Sequence, residues 1–383
     1  MKHLYLHIPF CHRRCSYCDF NTYANMESRI EAYVDALCAE LALLAAERQP
    51  PPPRSPEAAA LRPTIFLGGG TPTMLTLAQM ERVLAAAATL VPLAGAEITC
   101  EANPGTVLER DYLRGLRALG INRLSMGVQS LHDPTLRVLG RIHTAAEARR
   151  SFEDARAAGF ATVSLDFIFG LPGQTLEQWE HTLERIVAWE PEHVSLYALI
   201  LEERTPLYAQ VTAGRVSVPD DDATAAMYEA AMERLGAAGY EHYEISNWTR
   251  GQPCHHNLAY WLNSDYLAAG AGAHGHVYPL RYANIPGVDE YIQASVAGRR
   301  PIAATTTLTP ADLEAETMMM GLRLSRGVGI EHFAARCGRP LEAAYGPILR
   351  DLAAQGLLEQ GDGRVRLTAR GRMLGNRVFE RFV

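Results

Sequence analysis

An α/β fold is predicted by three features of this 383-residue sequence: a partial (β/α)6 barrel followed by a smaller carboxy-terminal α+β, winged-helix-like domain. Six short β-branched or aliphatic runs alternate with segments of helical periodicity over residues 1–204. That rhythm gives way to aromatic, His and Gly-rich segments over 205–304, read as a connecting region. From 305 to 383 helical segments lead into a hairpin signal. With 48% hydrophobic residues the chain can bury one large core and a second, smaller one.

The six runs are LYLHI (Leu4 to Ile8), TIFLG (Thr64 to Gly68), EITCEA (Glu97 to Ala102), NRLSMGV from Asn122, TVSLDFIFG from Thr162 and HVSLYALI from His193. Such alternation builds a parallel sheet with right-handed crossovers, whose functional groups gather at the carboxyl ends of the strands. QPPPPRSP, from Gln49 to Pro56, cannot be helical and is expected to be an exposed loop between the first helix and the second strand. At the other end, Gly329 to Gly356 reads as a helix-turn-helix, and LLEQ and RVRLT pair around Gly361, Asp362 and Gly363. The would-be recognition helix carries Glu342 and Asp351 against Arg350, which disfavours direct reading of DNA.

Lys plus Arg number 36 against 43 for Asp plus Glu, so no positive field exists to attract nucleic acid, and no nucleic-acid partner is expected. Seven cysteines, scattered apart from one cluster and preceded by no secretory signal, point to a reducing compartment. No apolar run approaches the roughly 20 residues needed to cross a bilayer, and a cytoplasmic location is expected.

Cys11, Cys15 and Cys18 form a CxxxCxxC spacing directly after the first strand, where a loop at the barrel mouth would hold them together. Three thiolates on a four-iron, four-sulfur (4Fe-4S) cluster leave one iron open to the amino and carboxylate groups of a methionine-type ligand. A zinc site would need a closed tetrahedral shell, and His12 is no obvious fourth ligand; three unrelated cysteines is the other alternative. Cys38, Cys100 and Cys337 are expected to be buried structural thiols.

The segment YLHIPFCHRRCSYCDF resembles the opening of radical SAM proteins of the oxygen-independent coproporphyrinogen III oxidase-like group, and the resemblance runs through nearly the whole chain. It implies a radical SAM barrel that binds a 4Fe-4S cluster and S-adenosylmethionine, with the capacity to cleave the latter.

In LGGGTPT, glycines directly after the second strand either let a ligand approach the backbone or form a tight strand-to-helix turn. Glu101, Gln129 and Asp166 belong at one rim, where carboxylates and amides bind ribose and adenine or serve as solvated loop residues and caps. Arg141, in LGRIHT, could pair with a surface carboxylate. By the resemblance, Tyr5, Gly69, Gly70, Thr71, Glu101, Gln129, Arg141 and Asp166 match positions that bind one or two S-adenosylmethionine molecules.

CHHNLAYW, from Cys254 to Trp261, offers an imidazole and flat aromatic rings, the groups that ligate haem iron and pack on a porphyrin. In a helix, His256 and Tyr260 share a face. A satisfied histidine beside an aromatic core patch is the alternative. The segment resembles the HNxxYW motif of HemW-type haem chaperones, which implies haem bound by His256, Tyr260 and Trp261 with His256 on the iron. Cys254, His255, His274 and His276 are less specific iron ligands. Relatives that decarboxylate coproporphyrinogen carry a further cysteine where this chain has Phe20, and an extension before the first strand, whereas Tyr5 here lies near Met1; that activity is not expected.

The resemblance thus implies transfer of haem from a haem donor to an acceptor haemoprotein, membrane-associated in one reading, with a homodimer as the regulated form. The competing expectations are oxidative decarboxylation of coproporphyrinogen and a zinc-dependent regulator acting through the winged helix.

Overall fold

The computed structural model describes residues 1–47, 55–105 and 109–383. All six expected strands form: β1 (His3–Ile8), β2 (Thr64–Gly69), β3 (Glu97–Ala102), β4 (Arg123–Gln129), β5 (Thr162–Phe169) and β6 (His193–Ala198). They are hydrogen-bonded in chain order and in parallel, with Tyr5 level with Phe66, Phe66 with Thr99, and Gly127 with Asp166. Long helices follow, among them Ile30–Ala46, Leu77–Ala87, Ala145–Ala157 and Leu176–Trp189. The last three open on a Thr with a Gln or Glu at the third helical position, a reciprocal capping box that fixes where each helix leaves the strand end.

The sheet does not stop at β6. Glu241–Glu244 (β7) and Asn247–Thr249 (β8) form an antiparallel hairpin that adds to β6, and Leu267–Ala269 (β9) pairs in parallel with β1, giving the order β9-β1-β2-β3-β4-β5-β6-β8-β7. The stretch 205–304, expected only to connect, therefore closes both flanks of the barrel. One continuous core runs from Leu4, Leu6 and Ile8 through Trp179 to Trp248, all fully buried. Burial of this apolar surface is the main stabilising contribution.

A second core of Met318, Phe333, Leu341, Leu349, Val365 and Phe379 holds the carboxy-terminal part together. Helices Ile330–Cys337 and Leu341–Ala354 pack with a three-stranded sheet of Val328–Gly329, Leu358–Gly361 and Arg364–Leu367. Asp362 and Gly363 turn the hairpin with positive φ, as a two-residue turn requires. Arg350 is ion-paired to Glu342 on its own helix.

The expected proline-rich loop lies mostly outside the described residues, but its end corrects the reading. Ser55 is buried, accepts a hydrogen bond from the Ala58 amide at 3.1 Å and meets His332 Nδ1 at 2.7 Å, while Pro56 opens a short helix, Pro56–Ala60. Proline suits a first helical turn because its missing N–H has no partner there in any case. Among the described residues no helix is long and apolar enough to cross a membrane.

Candidate functional site

The loop bearing the three cysteines leaves β1 at the carboxyl end of the barrel and is pinned on two sides. The Ser16 amide donates to the Leu139 carbonyl at 2.9 Å, and the Leu207 amide donates to the Ser16 carbonyl at 2.8 Å. Tyr17 sinks among Leu139, Leu199, Leu201 and Leu207. Cys11, Cys15 and Cys18 are free, half-buried thiols on the wall of one cavity of about 500 Å³. Among the described residues no group of three or more His, Cys, Asp or Glu side chains is gathered closely enough for a single metal ion. Three thiols spread around one cavity match a polynuclear cluster better than the closed shell of zinc.

Burial pushes the Cys11 thiol up to about 11, against the opposing hydrogen bond from Thr71, and raises Cys18 likewise. A thiolate there needs local positive charge, which iron supplies on coordination. Arg141 already leans the same way: its guanidinium lies 3.4 Å from Cys15 Sγ and donates to Asn103 Oδ1 at 2.6 Å and to the Gly127 carbonyl at 2.5 Å. Among the described residues it makes no carboxylate pair of the kind considered for it. Asn103, which also donates to Thr71 Oγ1 at 2.7 Å, is a site residue that the sequence reading missed. Its place two residues after Glu101 at a strand end was the available signal.

Gly69, Gly70, Glu101, Gln129, Arg141 and Asp166 share the cavity wall with the cysteines. Gly69 has φ +107°, and a Cβ there would run into the His7 ring; at Gly70 it would come within 2.5 Å of the Phe10 carbonyl oxygen. The glycines are thus demanded by close packing, and that packing leaves the cavity wall bare of side chains. Gly69 N–H donates to Glu101 Oε2 at 3.0 Å. Burial, then the nearby Asp166 charge, pushes the Glu101 carboxyl up to about 7. Burial also raises Asp166, although Ser125 and Ser164 hydroxyls bond it at 2.9 and 3.1 Å. Gln129 sits at a break in the β4–β5 register with φ +66°, a left-handed conformation that turns its side chain at the rim.

Two of the residues grouped with these lie apart from the main cavity. Tyr5 is deeper in the barrel, its hydroxyl 3.0 Å from His7 Nδ1 and its ring stacked on Phe66. Thr71 borders a smaller recess with His12, Cys15 and Arg141.

The histidine motif occupies the opposite end of the barrel. Helix α1 (His255–Trp261) begins against Glu97, whose carboxylate accepts from the His255 and His256 amides at 3.2 and 3.0 Å. A carboxylate at a helix amino terminus is favoured by both the free amides and the dipole. As expected, His256 and Tyr260 share a face and meet at 2.9 Å.

Yet His256 is only 1% exposed. Its Nε2 is taken by Tyr260, its Nδ1 lies 2.7 Å from Thr64 Oγ1, and its ring stacks on Phe66. Thr64 in turn meets His3 Nδ1 at 2.9 Å. Burial holds the His256 pKa well below the usual imidazole range. In this structure both His256 nitrogens are therefore engaged by hydroxyls of the protein. Tyr260 and Trp261 are partly exposed; Tyr260 meets His256 and Tyr266, and Trp261 lies beneath the Arg323 guanidinium with its indole N–H unpartnered among the described residues. Of the alternatives, Cys254 and His276 are buried, His255 is half-buried and His274 is exposed. Among the structural thiols Cys100 is buried as expected, whereas Cys38 and Cys337 are only partly so.

A nine-stranded, mostly parallel barrel sheet with three free thiols across its mouth, beside a glycine-bared wall and a ring of amide and carboxylate groups, defines a radical SAM protein. The sequence matches the Radical SAM superfamily over residues 5–186 and the HemN C-terminal domain over residues 308–374. It is 38% identical over 386 residues to the heme chaperone HemW of Bacillus subtilis, covering 100% of this chain and 99% of that one. It is 36% identical over 389 residues to HemW of Escherichia coli, covering 99% and 97%. Among solved structures, coproporphyrinogen III oxidase (HemN) from Escherichia coli superimposes with a TM-score of 0.82 at 25% identity, over 99% of this chain and 89% of that one. The chain belongs to the HemW family.

Proposed function

We propose that this protein is a haem chaperone, binding haem and passing it from a donor to an acceptor haemoprotein, in a cytoplasmic setting that gives access to membrane-associated acceptors. The observation that carries the reading is similarity from end to end, at 38% identity, to a chain named as a heme chaperone. Phe20 supports it: a 66%-exposed aromatic ring stands at the lip of the cavity where a catalytic relative would carry a thiol.

In this reading Cys11, Cys15 and Cys18 hold a 4Fe-4S cluster, which when bound supplies one-electron chemistry to S-adenosylmethionine. The chain's own groups do the positioning. The turn at Gly69, Gly70 and Thr71 receives the cofactor's amino group, while Glu101, Gln129 and Asp166 take up its hydroxyls and base. Arg141 steadies the Cys15 sulfur and the loop at Asn103. With a folded-state pKa of about 7, the Glu101 carboxyl accepts or donates a hydrogen bond according to pH. Dimerisation and haem release are the steps that occupancy of this cavity would control.

The likeness to a coproporphyrinogen oxidase favours one competing reading, decarboxylation of the porphyrinogen propionates. A titration with haem of anaerobically reconstituted protein, with coproporphyrinogen turnover and haem delivery to an apo-haemoprotein followed in parallel, separates the two. Stoichiometric haem binding and delivery without decarboxylation is the expected result. Turnover to protoporphyrinogen without haem binding would overturn the chaperone reading.

A further inference from the structure

We infer that His193 and Tyr243 are positioning residues that carry the state of the mouth cavity to helix α1, through a hydrogen-bonded relay across the barrel interior from Asp166 to Asn257. This rests on the reading of Asp166 as a group that takes a hydroxyl of S-adenosylmethionine, and it connects that site to the helix bearing the HNxxYW resemblance.

Branched aliphatic side chains are the ordinary filling of a barrel, yet a polar line crosses this one. Asp166, on the cavity wall, accepts from the Ser164 hydroxyl at 3.1 Å. The Ser164 oxygen lies 2.8 Å from Nδ1 of His193, the residue level with it on β6, and His193 Nε2 lies 2.9 Å from the Tyr243 hydroxyl on β7. Tyr243 is bonded in turn by the side chain of Asn257, in the first turn of α1. Ser164 and His193 are 1% exposed and Tyr243 5%, so bulk water does not compete for these bonds.

One end sets the donor direction of the whole line. An ionised Asp166 only accepts, so the single Ser164 proton points to it and the Ser164 oxygen takes the Nδ1–H of His193. Burial, then the Arg123 charge, keeps the imidazole neutral, which leaves Nε2 bare to accept from Tyr243, whose oxygen accepts from the Asn257 amide. A protonated Asp166 donates instead and every bond reverses: Ser164 donates to Nδ1, His193 carries its proton on Nε2 and donates to Tyr243, and Tyr243 donates to the Asn257 carbonyl oxygen, for which that amide must turn. One proton is added, at Asp166, and every other group keeps one. The relay therefore has two discrete arrangements, and both ends bias the choice.

The surrounding charges leave that choice open to a ligand. Glu101 and Tyr197 act on Asp166, and the Glu101 charge favours a proton there, while Arg123 favours the ionised form. Arg123, Glu244 and Cys254 surround Tyr243. A ligand hydroxyl donating to Asp166 adds to the ionised side and so to the arrangement in which the Asn257 amide is held and the first turn of α1 is fastened.

Hydrogen exchange of the backbone amides of 255–261 is measured with and without saturating S-adenosylmethionine, on anaerobically reconstituted protein and without a reductant, so that the cofactor stays intact. Binding of the cofactor is measured on the same samples. Tyr243→Phe and His193→Leu interrupt the relay. Tyr240→Phe is the control, because it removes another buried tyrosine hydroxyl, bonded to the Pro191 carbonyl at 2.9 Å, that stands outside the relay. The cofactor is expected to slow exchange in α1 by about fivefold or more in wild type and Tyr240→Phe, and by less than about twofold in the relay variants, which still bind it. Should His193→Leu fail to fold, Tyr243→Phe, which loses a single oxygen, decides. Cofactor binding that leaves α1 unchanged in wild type, relay variants that respond as wild type does, or a control that loses the response overturns the inference and leaves the reading of the mouth standing. A wild-type protein that carries its cluster but binds no S-adenosylmethionine overturns both.

Discussion

The two ends of the barrel carry equally clear sequence motifs and opposite physical states. At the mouth, three thiols, three guanidiniums and four carboxylates surround open space. At the floor, His3, Thr64, His256 and Tyr260 form an unbroken chain of hydrogen bonds packed against Phe66. A motif marks where side-chain chemistry is constrained, and the constraint at the floor is satisfied by the protein itself. The groups at the mouth, by contrast, line open space around three free thiols.

Removing the three thiols should have the largest effect. Cys11, Cys15 and Cys18 replaced together by Ala is expected to abolish cluster iron while leaving the unfolding transition nearly unchanged, because these half-buried loop side chains add little to either core. Iron analysis beside circular dichroism checks it; cluster iron that persists would break the comparison at its open end.

His256→Ala should do the reverse, leaving cluster loading intact and lowering stability by about 3 kcal/mol, since it deletes a packed ring, takes the Tyr260 hydroxyl's partner and leaves Thr64 with His3 alone. Urea unfolding of the apo-protein measures this, and a loss well under about 1 kcal/mol would mean that the floor is not built on that ring.

A comparable effect, spread over pH, is expected at Glu101. Between pH 4.5 and about 7 its carboxyl is protonated in the folded protein and ionised in the unfolded chain, so the folded state binds more protons. Stability should therefore fall as pH rises through that window, by about 3 kcal/mol, and Glu101→Gln should flatten the decline. Identical pH profiles for the two proteins would remove Glu101 from the account. Smallest is Tyr260→Phe, which leaves His256 in place but unpaired at Nε2 and should cost about 1 kcal/mol by the same unfolding assay.

The barrel was legible because β1 to β6 are aliphatic runs buried on both faces, the form that parallel strands take. The strands Glu241–Glu244, Asn247–Thr249 and Leu267–Ala269 were not, being three or four residues long and lying in sequence that looks irregular. The mouth was legible because cysteine spacing and strand ends fix position together. The floor was half legible. Helical periodicity places His256 over Tyr260 but cannot say that this face meets Thr64 and Phe66, residues nearly two hundred positions away, so a satisfied core histidine and a waiting ligand look alike in sequence. Tyr5 shows the same limit, for its strand is evident while its depth in the barrel depends on the neighbouring strands.

The most direct test of this division is the position of the cluster irons in reconstituted protein, read from iron anomalous scattering in a crystal. The account predicts those irons at the mouth, bonded to Cys11, Cys15 and Cys18. Irons found elsewhere, with the three thiols free, would contradict it.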